Sequence, residues 1–299
     1  VAEPGEFTRR AFDNGKVDLS MIEGLSDLFD AKTSLQRRQA TSQMSGNLAK
    51  PINKWRAEII EMLSFVEALI DFHDEELPIN LNDKIINKRN YLIKNIEDVL
   101  SDNNIGEIIR NGLSAVIIGP VNSGKSTALN LISKRPASIV SNLKGTTRDI
   151  IEVQVNIKGI PIYLSDTAGF RKNAGLIEKE GIKRAKAASQ NADIILIVID
   201  GSVEGWKREV LKFTTYSEKK TLIVVNKIDK GLKGSKTNKI NGIKTIFLSL
   251  KDNSSLAVLE KHISSFLNHI NHEKSSTLIT RSHHRESLIG CLQHLENSK

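Results

Sequence analysis

Residues Gly119-Pro120-Val121-Asn122-Ser123-Gly124-Lys125-Ser126 match G-x-x-x-x-G-K-[ST] at every defined position. The β-rich run Leu113–Ile118 precedes them, and a helical pattern starts at Thr127. A strand, a glycine-bounded loop and a helix in this order form a phosphate cradle. The glycines let successive backbone N–H groups turn inward onto anionic oxygens. Asn122, Ser123, Gly124 and Thr127 belong to the cradle, Lys125 offers a point charge for the β- and γ-phosphates, and the Ser126 hydroxyl is placed for Mg²⁺. Such a unit commits the region to an α/β fold that binds a nucleoside triphosphate.

From Leu113 onward strands alternate with helices. Residues 151–157 alternate apolar and polar as a half-covered strand does, and Lys158-Gly159 turns them back into Ile160–Leu164, which predicts an antiparallel hairpin. Ile194–Ile199 and Thr221–Val225 are unbroken apolar runs, the mark of central strands covered on both faces. Thr245–Leu248 is a shorter one. The pattern predicts about six strands, mostly parallel, with one antiparallel edge strand.

The flanks are helical. Leu48, Ile52, Trp55, Ile59, Leu63, Val66 and Ile70 form an apolar stripe, with Pro51 in the first turn of its helix. Ile85, Ile86, Leu92, Ile96, Val99 and Leu100 form a second, whose polar face carries Lys84, Lys88, Arg89 and Lys94. From Arg281 the chain is helical again. Cys291 reads as a core residue there, and His283 and His284 as a basic helix entry rather than a ligand pair.

The 299 residues leave room for one large domain or two. Lys and Arg number 43 against 35 Asp and Glu, a net charge of +8 that fits RNA or another polyanion and equally an ordinary solvated surface. The single cysteine, Cys291, excludes an intrachain disulfide framework and an all-cysteine metal site. It is consistent with a reducing compartment, and a cytoplasmic location is expected. No apolar run approaches the ~20 residues that span a bilayer, so no membrane partner is expected. No signal peptide is visible, and the opening at Val1 reads as mid-domain sequence, an expected truncated start.

The base is chosen by Asn226-Lys227-Ile228-Asp229, directly after a buried strand. The Asp229 carboxylate can accept from both N1–H and N2–H₂ of guanine, whereas adenine has no such donor pair. Lys227 can lay its stem along the base plane. Ser249-Leu250-Lys251 would complete the pocket through backbone N–H groups. Asp166-Thr167-Ala168-Gly169 follows the strand ending at Leu164: the carboxylate holds Mg²⁺ through water, and the glycine lets its N–H swing onto the γ-phosphate. Between the phosphate cradle and this segment, Gly145-Thr146-Thr147-Arg148-Asp149 places Thr147 to give Mg²⁺ a second hydroxyl. These elements stand in the order of a GTPase domain. Ras-type GTPases place a glutamine after D-x-x-G to orient the attacking water. Here Phe170 stands there, so hydrolysis recruits another residue or is very slow.

Over essentially its whole length the chain resembles the tRNA-modification GTPase MnmE (TrmE) family. Pro4-Gly5-Glu6-Phe7-Thr8 with Arg10-Ala11-Phe12 and Asn14-Gly15-Lys16 resembles the family's opening signature. Ala68–Phe72 with Asp74-Glu75-Glu76 resembles its helical domain. Gly145–Asp149, and Asp166–Gly169 followed by Arg171 and Glu178–Ile182, resemble its two switches. Departures are Lys144 before the first switch, Leu250 where the family prefers alanine, and the missing C-terminal C-x-G-K.

The resemblance implies a Ras-like GTPase domain, an α/β fold, inserted into an all-α helical domain. Residues 1–14 are then the tail of a folate-binding domain, 15–108 and 279–299 the two parts of the helical domain, and 109–278 the GTPase domain. It also implies a K⁺ ion held by Asn122, Ser141, Leu143 and Thr146. Glu178 would orient the hydrolytic water, Arg148, Asp149 and Arg171 would serve a closed switch dimer, and Lys16 would contact 5-formyltetrahydrofolate. The implied activity is K⁺-activated GTP hydrolysis in the modification of the tRNA wobble uridine, with a MnmG-type flavoprotein and a homodimer. An Era- or Der-like ribosome-assembly GTPase is the alternative, although neither an appended KH-type domain nor a second complete G domain occurs. A third reading is a catalytically crippled fragment.

Overall fold

The computed structural model describes residues 1–72, 80–102, 104–133, 139–141, 152–166, 187–214, 220–268 and 278–298. The chain divides into two compact units, Val1–Asn111 with Asn271–Lys299, and Gly112–Ile270.

The first unit is helical: α1 (Glu6–Asp13), α2 (Leu19–Asp30), α3 (Ser34–Met44), α4 (Ala49–Asp71), α5 (Leu81–Leu100), α6 (Ile105–Asn111) and α10 (Ser282–Asn297). Local chemistry sets the ends. Asp18 caps α2 by accepting from the Met21 N–H at 3.0 Å. Thr33 and Gln36 form a reciprocal capping box at the start of α3, each side chain taking up an orphan backbone donor of the other. Gly24 lets α2 and α3 approach closely, because a Cβ there would lie 2.8 Å from the Met44 nitrogen.

Trp55, Met62, Leu92, Ile96, Ile279, Leu288 and Leu295 form the core of α4, α5 and α10, with Cys291 half-buried against it. The stripe is only partly covered: Leu48 and Trp55 are buried, as is Met62 beside it, whereas Ile52, Leu63, Val66 and Ile70 are exposed. At 100° per residue, Ile52, Leu63 and Ile70 stand roughly 60–80° away from Trp55 around the helix, off the buried face, whereas Val66 stands about 20° away and is exposed all the same. Arg285 joins α10 to α6 and the turn before it, donating to Asp102 at 2.6 Å and Glu107 at 2.8 Å. The polar face of α5 also forms ion pairs. Lys88 pairs with Glu58 and, at 2.8 Å, with Glu61 on α4.

The second unit is built on one eight-stranded sheet in the order β2-β3-β4-β1-β5-β6-β8-β7. The strands are β1 (Leu113–Ile118), β2 (Ile139–Ser141), β3 (Glu152–Ile157), β4 (Ile160–Asp166), β5 (Ile194–Asp200), β6 (Lys220–Asn226), β7 (Lys239–Ile240) and β8 (Ile243–Phe247). β4, β1, β5, β6 and β8 run parallel. The β3–β4 hairpin is antiparallel, and Lys158 and Gly159 at φ 53° and 82° give it the two-residue turn with both central φ positive. β2 and β7, of three and two residues, extend the expected six strands at opposite edges. Elements that short leave no periodic signal.

The helices of this unit include α7 (Lys125–Ser133), α8 (Trp206–Leu211) and α9 (Ser254–Ser265). Every residue from Ile194 to Ile199 and from Thr221 to Asn226 is buried, as central strands require. Trp206 and Val210 of α8 pack on Ile195, Ile197 and Ile223. The parallel strands all end on one edge of the sheet, where crevices of α/β proteins receive ligands.

Candidate nucleotide site

The loop from β1 to α7 bends back on itself through three residues of positive φ: Gly119 at 146°, Asn122 at 60° and Gly124 at 107°. Glycine is required at both ends by space as well as by conformation. A Cβ on Gly119 would run into the Val198 carbonyl, and one on Gly124 into the Asn226 side chain. Lys125 lies back over the loop, its Nζ donating to the carbonyls of Gly119 at 2.9 Å and Pro120 at 2.7 Å. Ser123 is fully buried, and its Oγ has no hydrogen-bond partner among the described residues. Asn122 and Thr127 are exposed, and Ser126 stands in the first turn of α7.

Asn226, the last residue of β6, ties this loop to the Ser249–Lys251 segment. Its Nδ2 donates to the Ser123 carbonyl at 2.8 Å, and its Oδ1 accepts the Leu250 N–H at 2.9 Å. Asn226 thus spends both ends of its amide on scaffolding, and Asp229 is the side chain of the segment expected to meet a base. Asp229 is exposed and accepts from the Ser249 hydroxyl at 2.7 Å. That hydrogen bond is the main cause holding its carboxyl below the usual carboxylate range. The loop is braced in turn, for Ser255 Oγ donates to the Ser249 carbonyl at 2.7 Å. Leu250 is buried and acts through its backbone, so its place in an alanine-preferring position leaves this bond intact. Lys251 is exposed beside it.

Lys227 has φ 63° and donates from Nζ to the Asn122 carbonyl and to Asp200 Oδ2, both at 2.6 Å. Asp200 is a residue the sequence reading passed over. Its signal was a carboxylate closing the apolar run of β5. Burial pushes its pKa up, but Lys227 and the Ser202 hydroxyl and N–H outweigh that, and the carboxyl ends below its ordinary value. The ammonium of Lys227 is thereby pinned between the end of β5 and the crown of the phosphate loop.

The structure brings Asn122, Ser123, Gly124, Lys125 and Ser126 together with Asn226, Lys227, Asp229 and Ser249–Lys251 through these contacts. The backbone of Asp166 ends β4 in register with Ile117, one residue before β1 gives way to the loop. Ser141 ends β2, paired with Glu152. Leu143, Thr146, Thr147, Arg148, Asp149, Thr167, Ala168, Gly169, Phe170, Arg171 and Glu178 lie outside the described residues. Lys16 is exposed and belongs to the helical unit. His283 and His284 meet Glu23 at 3.3 and 3.0 Å, where Arg281 also stands 3.4 Å from the carboxylate. Arg281 already answers the charge of Glu23, and burial lowers the His284 pKa, so the group reads as an Arg281–Glu23 ion pair with two histidines beside it at a helix entry.

A parallel sheet with a G-x-x-x-x-G-K-S loop after β1 and an N-K-x-D segment after β6, bonded to one another, defines a GTPase-type P-loop domain. The profile of the MnmE helical domain matches residues 19–299. The chain is 40% identical over 299 residues to the "tRNA modification GTPase MnmE" of Rickettsia conorii, and 39% identical over 302 residues to that of Rickettsia prowazekii. The chain therefore belongs to the MnmE family. These alignments take in 99% of the chain, which spans 66% of the length of each relative. Among solved structures, the G domain of the T. maritima FeoB iron transporter aligns with 52% of the chain and 99% of its own, at 22% identity and TM-score 0.39. That likeness is too loose to carry an argument, and the fold rests on the strand order above. Among the described residues no helix is long and apolar enough to cross a membrane.

Proposed function

We infer that the chain is a K⁺-activated GTPase that hydrolyses GTP to GDP and phosphate. With a MnmG-type flavoprotein it takes part in the carboxymethylaminomethyl-type modification of the tRNA wobble uridine. One observation carries the nucleotide half: the Asn226 side chain bonds the phosphate loop and the Leu250 segment at once, so phosphate and base are read by one rigid frame. The printed name of the relatives supports the tRNA half.

The loop from β1 to α7 suits the phosphates this reading requires. The two positive-φ glycines leave a cradle free of Cβ atoms, and Lys125 sits within it, ready to exchange carbonyl partners for phosphate oxygens. Ser126 and Thr147 would hold Mg²⁺, and Asn122, with Ser141, Leu143 and Thr146, would hold K⁺. A bound monovalent cation supplies positive charge where negative charge grows on the bridging oxygen. Glu178 would orient water in place of the side chain that Phe170 cannot provide, and Asp166 with Thr167, Ala168 and Gly169 would sense the γ-phosphate. Arg148, Asp149 and Arg171 would serve switch closure across a homodimer, in the cytoplasm. Residues 1–14 would be the tail of a folate-binding domain and Lys16 its contact with 5-formyltetrahydrofolate, with the helical domain at 15–108 and 279–299 around a GTPase domain at 109–278.

The test is GTP turnover in K⁺ against Na⁺. Turnover rises steeply in K⁺, and Asn122→Ala abolishes the rise while nucleotide affinity stays. Glu178→Ala loses hydrolysis and keeps GTP affinity. Equal turnover in both salts removes the cation from the mechanism.

A further inference from the structure

The charge of this chain is unevenly divided. Residues 112–270 hold 25 of its 43 Lys and Arg but 13 of its 35 Asp and Glu, whereas the helical unit has 18 against 22. The excess is dense between Lys227 and Lys244, where six lysines stand with Asp229 as the sole carboxylate. Lys227, Lys230, Lys233, Lys236 and Lys239 fall at every third position. Lys227 and Asp229 belong to the nucleotide site. Lys230, Lys233, Lys236, Lys239 and Lys244 are exposed; Lys230 feels the nearby Asp229 carboxylate, and among the described residues no carboxylate forms an ion pair with the other four.

The strip is anchored rather than free. Trp206 Nε1 donates to the Lys233 carbonyl at 2.6 Å, and Lys207 Nζ donates to Ser235 Oγ at 3.1 Å. An open groove of about 460 Å³ runs between α8 and this segment, lined by Trp206, Lys207, Arg208, Lys233 and Ser235, with Glu204 as its acid. Trp206 is buried, and no large hydrophobic residue is exposed from Lys230 to Lys239. A protein partner would find no apolar anchor here. A phosphodiester backbone needs only fixed cations, and its binding is independent of sequence.

We propose that the strip Lys230–Lys244, with Lys207 and Arg208, is a docking surface for the phosphate backbone of RNA. The proposal rests on the tRNA reading above.

The experiment is filter binding of bulk tRNA to the full chain across a salt series, comparing wild type with the combined Lys233→Ala, Lys236→Ala and Lys239→Ala variant. The variant binds at least about tenfold more weakly at ~0.1 M salt, and its log–log salt slope falls by about 2, the loss of three phosphate contacts. Its GDP affinity is unchanged, which shows the fold intact. Lys84→Ala with Lys94→Ala, on the helical unit, leaves RNA binding as it was. Equal affinity and slope in the strip variant overturn the surface and spare the tRNA reading, as does loss of binding to an acidic protein with RNA binding kept. A wild-type chain that binds no tRNA overturns both.

Discussion

Asn226 and Ser123 lie 103 positions apart in the chain and are joined by a buried hydrogen bond of 2.8 Å between the Asn226 amide and the Ser123 carbonyl. Through it the end of β6 holds the phosphate loop. The same side chain accepts from Leu250, so one residue ties the phosphate loop to the Ser249–Lys251 segment.

Asn226→Ala therefore leaves a carbonyl and an N–H without partners in a buried setting, at about 1–3 kcal/mol each. Guanine-nucleotide affinity falls by at least about tenfold, measured with a fluorescent GDP analogue. An unchanged dissociation constant would show that the two loops are held by other means.

Asp200 carries a pH dependence. Its folded pKa lies below the unfolded value of about 3.9, so its contribution to stability is whole above that value and is lost as pH falls through the folded pKa. Asp200→Asn lowers the urea midpoint at neutral pH, and the gap to wild type closes as pH drops below about 4. A gap that stays constant with pH would mean the carboxylate gains nothing from Lys227.

In the helical unit, Leu92 is fully buried among Trp55, Met62 and Leu288. Leu92→Ala removes methyl groups from a packed site and costs about 2–5 kcal/mol. Thermal unfolding reports it as a lowered transition, and a transition at the wild-type temperature would place Leu92 outside the core.

Much of the site was legible because its chemistry is local. The phosphate loop, the Lys158-Gly159 hairpin turn and the N-K-I-D segment each declare themselves within a few residues of backbone need. Asn226 was legible as part of a motif, but its double role was not, since its two partners lie 103 and 24 positions away. Asp200 escaped for the same reason: only the folded sheet sets the end of β5 beside the end of β6, with Asp200 in register with Asn226. The α4 stripe shows the opposite error. Its spacing was helical, yet which part of it lies buried depends on neighbours that periodicity does not name.

The claim that this frame reads guanine is tested most directly at Asp229. Xanthine carries an oxygen where guanine carries its N2 amino group, so an amide at position 229 can donate to xanthine and cannot accept both guanine donors. Competition binding of GTP and XTP to wild type and Asp229→Asn is the measurement. The account predicts that the variant loses at least about a hundredfold in GTP affinity and gains affinity for XTP. GTP affinity retained in Asp229→Asn, with no gain for XTP, would contradict it.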